Sequence, residues 1–332
     1  MPLLSTALLK TSRSPRVRRM VTGFPVTRRV VGRFVAGEGI DDAIRAVRAL
    51  RDQGLYVTLD HLGEDTLDAA QAAATRDSYV KLLGVLAREG LADTAEVSLK
   101  LSALGQALRG SDDSDADSAD SAAAVQTPDG LDAGERIALE NARAVCEAAR
   151  AAGTTVTLDM EDHTKVDSTL RVLRELRRDF PWAGAVLQSM LLRTEQDCRD
   201  LARPGSRVRL VKGAYAEPAS VAHAAKAEVD AAYERCLTIL MSGGGYPMVG
   251  SHDPRMIGAA ARAALAAGRK PGEFEYQMLY GIRTDAQRDL AAAGHRVRVY
   301  VPFGTDWYGY FMRRLAERPA NVAFFLRALA GR

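Results

Sequence analysis

Residues 54–64 read Gly54-Leu55-Tyr56-Val57-Thr58-Leu59-Asp60-His61-Leu62-Gly63-Glu64. A glycine suited to the left-handed end of a helix precedes a short β-rich run, and the run empties into Asp60 and Glu64. The same cadence recurs along the chain. Further β-rich runs stand at Glu96–Leu99, Thr155–Leu158, Ala185–Leu187, Val208–Val211, Met248–Gly250, Phe274–Gln277 and Val297–Val301, after the first at Tyr56–Leu59. Between them lie stretches with helical spacing, such as Glu135–Ala152, Ser168–Asp179, Ala219–Met241, Pro254–Ala267 and Asp285–Ala293. Gly54, Gly153, Gly268 and Gly294 each sit just before the next strand, as αL caps do.

Eight strands alternating with helices predict an α/β fold in which a parallel sheet closes into a (βα)8 TIM-type barrel. The rival is a doubly wound open sheet. It is disfavoured because no G-x-G-x-x-G follows the first strand, and the cluster Gly243–Gly245 precedes a strand instead of following one. No internal repeat of fixed period is evident. The expected layout is an N-terminal helical arm over residues 1–53 and a barrel over 54–332, with a disordered acidic loop at 110–130.

The chain has 332 residues, with 45 Lys+Arg against 42 Asp+Glu, 47% apolar and 26% charged residues, which excludes global disorder and a fibrous chain. Cys146, Cys198 and Cys236 are too few and too scattered for a disulfide scaffold and favour a reducing compartment. No apolar stretch approaches the roughly 18 residues of a membrane span, and no secretory h-region is evident. The expected location is the cytoplasm, with a peripheral seat on the inner face of the cell membrane as an extension of it.

That extension comes from the charge distribution. Residues 1–37 hold Lys10, Arg13, Arg16, Arg18, Arg19, Arg28, Arg29 and Arg33 and no carboxylate, so the net +3 leaves −5 on the remainder. A transit peptide, a nucleic-acid arm and a patch for anionic membrane all fit such a segment, as does a plain solvated helix. With Phe24 and Phe34 as its only aromatics, base stacking has little to work with, and no nucleic-acid partner is expected. Residues 110–130 hold six Asp and no basic residue, and they lack bulky apolar side chains to offset the entropy of ordering.

In a barrel, chemistry gathers at the C-terminal ends of the strands. Those ends carry Asp60 and Glu64, Lys100, Asp159 to Glu161, Gln188, Arg209 and Lys212 to Tyr215, Ser251 to Asp253, Leu279 to Gly281, and Tyr300. Singly, each has a plain structural explanation: Lys100 as a surface snorkeler, Asp159 as a helix N-cap, Tyr300 as a core aromatic. Together they are more than a structural face needs. The five His show no metal-ligand spacing, and one acidic cluster at Asp159, Glu161 and Asp162 is weak support for a cation, so no metal is expected. Lys100 or Lys212 as a Schiff-base nucleophile remains the main enzymatic rival, and a non-catalytic binding barrel a third reading.

After the eighth strand, Gly304 and Asp306 look like a turn and cap for a helix from Trp307 to Glu317 that presents Arg313 and Arg314. An Arg–Glu317 surface pair is the plain reading. Tyr310, Phe311 and Met312 make the helix too apolar for a free surface. Lying across the barrel mouth, its two guanidiniums would suit a substrate carboxylate.

These residues resemble the proline dehydrogenase family in its monofunctional bacterial form. The resemblance rests on VSLKLSALG (97–105), VTLDMEDH (156–163), VRLVKGAYAEP (208–218), VGSHD (249–253), FEYQMLYGIR (274–283) and VRVYVPFGTDWYGYFMRRLAER (297–318), in collinear order. GRFVAGEGIDDAI (32–44) resembles the family's helical N-terminal part, while the insert at 110–130 departs from the pattern. The resemblance implies oxidation of L-proline to Δ1-pyrroline-5-carboxylate by hydride transfer to flavin N5 of FAD, with electrons passed to a membrane quinone, as the first step of proline catabolism to glutamate. It implies that Arg313, Arg314 and Lys100 hold the proline carboxylate. Tyr215, Leu279 and Tyr300 would pack on the pyrrolidine ring, Tyr300 favouring proline over hydroxyproline. Asp159 would sit by Lys100, and Arg209 would serve the N5 region. Met160, Gln188, Lys212, Gly213 and Ala214 would line the flavin, with Ser251 and His252 on its phosphate and adenine part. Glu64 would pair with Arg313 as a gate.

Overall fold

The computed structural model describes residues 30–64, 66–108 and 130–317. Most of the basic arm, the acidic loop up to Asp129 and the Glu317 side chain lie outside the described residues. The elements run α1 (Ile40–Arg51), β1 (Tyr56–His61), α2 (Ala69–Arg88), β2 (Ala95–Leu99), α3 (Ala133–Ala152), β3 (Val156–Leu158), α4 (Val166–Asp179), β4 (Gly184–Gln188), α5 (Thr194–Leu201), β5 (Arg207–Val211), α6 (Lys226–Ser242), β6 (Tyr246–Gly250), α7 (Pro254–Ala266), β7 (Glu275–Leu279), α8 (Thr284–Ala292), β8 (Val297–Phe303) and α9 (Trp307–Glu317). The eight strands pair in sequence order, all parallel, and β1 closes on β8 from Tyr56↔Arg298 to His61↔Phe303. The barrel expected from the strand–helix cadence is the fold observed.

Its local causes are the expected ones. Gly54, Gly153, Gly268 and Gly294 all take φ between +67° and +86°, ending helices where an L side chain would be strained. Asp132 and Glu135 form a reciprocal capping box at the start of α3, and Asp253 caps α7 ahead of Pro254. One expected helix is shorter than its spacing suggested. Ala219–Met241 becomes helical only from Lys226, because residues 218–225 fold into a turn tied to the loop after β4. His223 N–H donates to Met190 O at 2.8 Å and Leu192 N–H to Val221 O at 2.9 Å.

The strands bury their apolar residues outward, against the helices, and turn charged and polar ones inward. Arg207 on β5 reaches Glu96 on β2 at 2.6 Å, and Arg298 on β8 reaches Glu275 on β7 at 2.7 Å. Since β2 and β5 are not neighbours in the sheet, the first contact spans the barrel interior. Helix α1 packs on both β1 and β8, closing the outer ring at the seam.

A second apolar cluster sits apart from the main core. Val30, Val31, Phe34 and Val35 pack with Leu62, Trp307, Tyr308, Tyr310, Phe311 and Met312, with the Phe34 and Phe311 rings 6.3 Å apart. Ala36 N–H donates to Pro302 O, and Gly304 N–H, at the turn after β8, donates to Gly37 O. This cluster holds α9 over the end of the barrel where β8 finishes.

Candidate active site

A cavity of about 610 Å³ opens at the C-terminal ends of the strands beneath α9. Lys100, Asp159, Met160, Gln188, Arg209, Lys212, Gly213, Ala214, Tyr215, Ser251, His252, Leu279, Tyr300, Arg313 and Arg314 all line it. Glu64 stands at its edge through Arg313, whose Nη1 donates to Glu64 Oε2 at 3.2 Å while Nη2 donates to Oε1. The residues given site roles by the resemblance thus line this cavity, except Glu64, which reaches it through Arg313.

At the floor lies a polar network around Asp159. Oδ1 accepts from Ser98 Oγ at 2.7 Å and from Arg209 Nη1 at 2.6 Å, and Oδ2 accepts from the Tyr300 hydroxyl at 2.7 Å. Burial first, and then the charges of Asp159 and Asp60, push the Tyr300 phenol well above its ordinary range, so it stays a donor. The Arg209 guanidinium lies over the Tyr300 ring, 5.4 Å from its centroid, and donates through Nε to Gln277 Oε1. Its Nη2 is buried with no hydrogen-bond partner among the described residues. Asp159 is therefore not the helix cap; Asp162 caps the following turn, and Glu161 bonds Ser102.

The two lysines are both paired. Lys100 is 8% exposed and donates to both oxygens of Asp60, which is 1% exposed, at 3.0 and 2.9 Å. Burial disfavours its charge, but Asp60 and Asp159 outweigh burial and raise its pKa. Lys212 donates to Asp230 at 2.5 Å and Asp253 at 2.8 Å, and these bonds likewise raise its pKa against burial. A Schiff-base nucleophile needs its pKa lowered. Both lysines run the other way, so the lyase reading loses its nucleophile.

Asp60 is thus the direct partner of Lys100, with Asp159 farther along the same floor. The sequence placed Asp60 at a strand end without a role, and it passed over Ser98 and Gln277. The available signal was the period of two: Ser98 and Lys100, like Gln277 and Leu279, share the inward face of one strand. Gly213 is also required by the chain's own geometry. Its φ is +108°, and a Cβ there would fall 2.0 Å from Met190 Sδ. His252 accepts from the Leu279 N–H through Nε2 at 2.8 Å, which ties β6 to β7 at the cavity wall. Arg313 is held in its charged form by Glu64 against burial, and burial raises the Tyr215 phenol beside it. Arg314, buried, stacks its guanidinium 5.1 Å from the Tyr310 ring centroid.

Residues 43–327 match the model of a family described as proline dehydrogenase. Among relatives, a proline dehydrogenase of Deinococcus radiodurans is 42% identical over 299 residues, covering 90% of this chain and 89% of its own. Proline dehydrogenase 1 of Bacillus subtilis is 37% identical over 304 residues, covering 91% of each chain. Among solved structures, proline utilization A of Bdellovibrio bacteriovorus, inactivated by N-propargylglycine, superposes with a TM-score of 0.75 at 25% identity. That match covers 87% of this chain and 32% of the other, so this chain spans about a third of that larger protein.

Proposed function

The chain belongs to the proline dehydrogenase family, and from that premise we propose that it oxidises L-proline to Δ1-pyrroline-5-carboxylate with FAD as the resident cofactor. The observation that carries this reading is the meeting of three cations, Lys100, Arg313 and Arg314, in a cavity also lined by Arg209, whose buried Nη2 has no partner among the described residues. Three cations at one end suit a small carboxylate. A buried donor with no partner among the described residues suits the polar edge of a bound group.

The residues present fit a flavin. Arg209 supplies the orphan donor, and Met160 and Gln188 stand on one side of the Lys212–Ala214 loop with Ser251 and His252 on the other, all on the same cavity. When bound, FAD would accept the hydride that leaves the proline carbon next to the ring nitrogen. The chain's own part is binding, orientation and electrostatics. Arg313 and Arg314 clamp the carboxylate, with Lys100 as a third charge fixed by Asp60. Tyr215, Leu279 and Tyr300 press on the ring, and α9 excludes water. Asp159 balances Arg209 and orients Tyr300 through the hydroxyl bond. Glu64 occupies Arg313 when no carboxylate is present and gives it up when one arrives, which makes the pair a gate.

The electrons pass from this site to a membrane quinone, making the reaction the entry to proline catabolism. The division into an arm over 1–53 and a barrel over 54–332 belongs to the same proposal, amended by the packing of residues 40–51 on the barrel. So does a cytoplasmic location with peripheral membrane contact through the basic arm. No helix among the described residues is long and apolar enough to cross a membrane. The test is to denature the purified protein, identify the released chromophore, and measure proline-dependent reduction of a soluble quinone. A colourless protein that gains no activity with added FAD overturns the reading.

A further inference from the structure

The inward face of β7 carries Glu275 and Gln277, which the mechanism above does not use. Gln277 stands between two charges. Its Nε2 donates to Glu275 Oε1 at 2.5 Å and lies 3.2 Å from Met248 Sδ, while its Oε1 accepts from Arg209 Nε. A carboxylate only accepts and a guanidinium only donates, so one of the two amide orientations satisfies both neighbours and the other satisfies neither.

Glu275 is itself pinned. Arg298 donates to it through Nε at 2.7 Å and Nη2 at 3.2 Å, and the Tyr246 hydroxyl donates to Oε2 at 3.2 Å. It is 1% exposed; burial alone would raise its pKa, but Arg298 outweighs burial and holds it below the ordinary value. Glu275 is therefore a permanent acceptor, and it dictates which end of the Gln277 amide faces Arg209.

Arg209 has Nε on Gln277 and Nη1 on Asp159 and Ser98. Because the guanidinium is planar, fixing two of its nitrogens fixes the direction of the third. We propose that Glu275 and Gln277 are positioning residues for Arg209: the amide oriented by Glu275 holds Nε without adding a second carboxylate, so the guanidinium that lines the cavity keeps one orientation and a charge only partly balanced. This rests on the reading that FAD occupies that side of the cavity. A partly balanced cation beside the flavin favours its reduced, more negative form.

The experiment compares the flavin-loaded parent with Gln277→Glu and Gln277→Met, measuring flavin content, midpoint potential and the rate of reduction by proline. Gln277→Glu supplies a second carboxylate to Arg209 and is expected to move the reduced-to-oxidised equilibrium at least tenfold towards oxidised, about 30 mV for a two-electron couple. Gln277→Met removes the anchor and is expected to slow reduction at saturating proline about tenfold, while KM stays within about twofold because the carboxylate clamp is untouched. A flavin-loaded Gln277→Glu with the parent's potential overturns the proposal. Should that variant fail to fold, an unaltered reduction rate in Gln277→Met overturns it equally. A parent protein that binds no flavin at all is a different result: it removes the cofactor reading, and this proposal with it.

Discussion

Replacing Arg314 by Met isolates the carboxylate clamp. Arg314 is 9% exposed and lines the cavity beside Arg313 and Lys100. A charge-assisted hydrogen bond at such a site contributes about 1.5–3 kcal/mol net. At about 1.4 kcal/mol per factor of ten, its loss raises KM for proline by about 10- to 150-fold. Stability should change far less, because methionine keeps a sulfur contact with the Tyr310 ring that the guanidinium now covers. Arg313→Met provides the contrast. That guanidinium must first leave Glu64, a pair with side chains 23% and 29% exposed, so solvent screening makes its net contribution smaller. For the same reason Glu64→Gln should lower KM modestly. Steady-state kinetics on flavin-loaded protein, with the dissociation constant of a non-oxidisable carboxylate analogue measured by flavin absorbance, separates binding from turnover. An unchanged KM and an unchanged analogue constant in Arg314→Met would refute the clamp and, with it, the placing of α9 over the substrate.

Gly213→Ala meets both a left-handed φ and the Met190 sulfur, and it should lower the melting temperature and flavin occupancy, with partial recovery in Gly213→Ala/Met190→Ala. A single variant as stable and as flavin-rich as the parent would contradict this. Borohydride with a carbonyl substrate should trap no adduct at Lys100 or Lys212, since both ammonium groups are held charged; a stoichiometric adduct by mass spectrometry would revive the lyase reading. For Glu96, burial alone would raise the pKa, but Arg207 and Arg298 hold it down to about 2 against an ordinary 4.5. Its contribution to stability is therefore fully present above the ordinary value and is lost as pH falls towards 2. Denaturant titrations across that window should show the decline in the parent and a flatter profile in Glu96→Gln. For the basic arm, binding to anionic vesicles should be strong at low salt and lost at high salt; salt-independent binding, or none, would count against membrane contact.

The barrel was legible because its punctuation is local. Glycines at helix ends, short β-rich runs and polar strand ends all act within a few residues, and the eight runs overlap the eight observed strands. The interior was less legible. Arg207-Val-Arg209 and Arg298-Val-Tyr300 alternate in a way that suits polar-out packing, yet here the valines face the helices and the arginines meet the carboxylates of Glu96, Asp159 and Glu275 inside the barrel. Only tertiary closure, which surrounds both faces of the sheet, makes that inversion favourable, and nothing in a single strand announces it. The same limit explains why Asp60 was given no role and Gln277 was passed over. Their roles depend on Lys100 and Arg209, partners 40 and 68 residues away. Residues 219–225 show the converse: a helical pattern lost to hydrogen bonds made with another loop.

The most direct test of the central claim is an anaerobic titration of the purified flavin-loaded protein with L-proline and, in parallel, with pyrrolidine, which has the same ring and no carboxylate. L-Proline is expected to bleach the visible flavin absorption at about one equivalent per flavin, while pyrrolidine at the same concentration leaves it unchanged because the clamp of Lys100, Arg313 and Arg314 has nothing to hold. Equal bleaching by both compounds, or none by proline, would contradict the account.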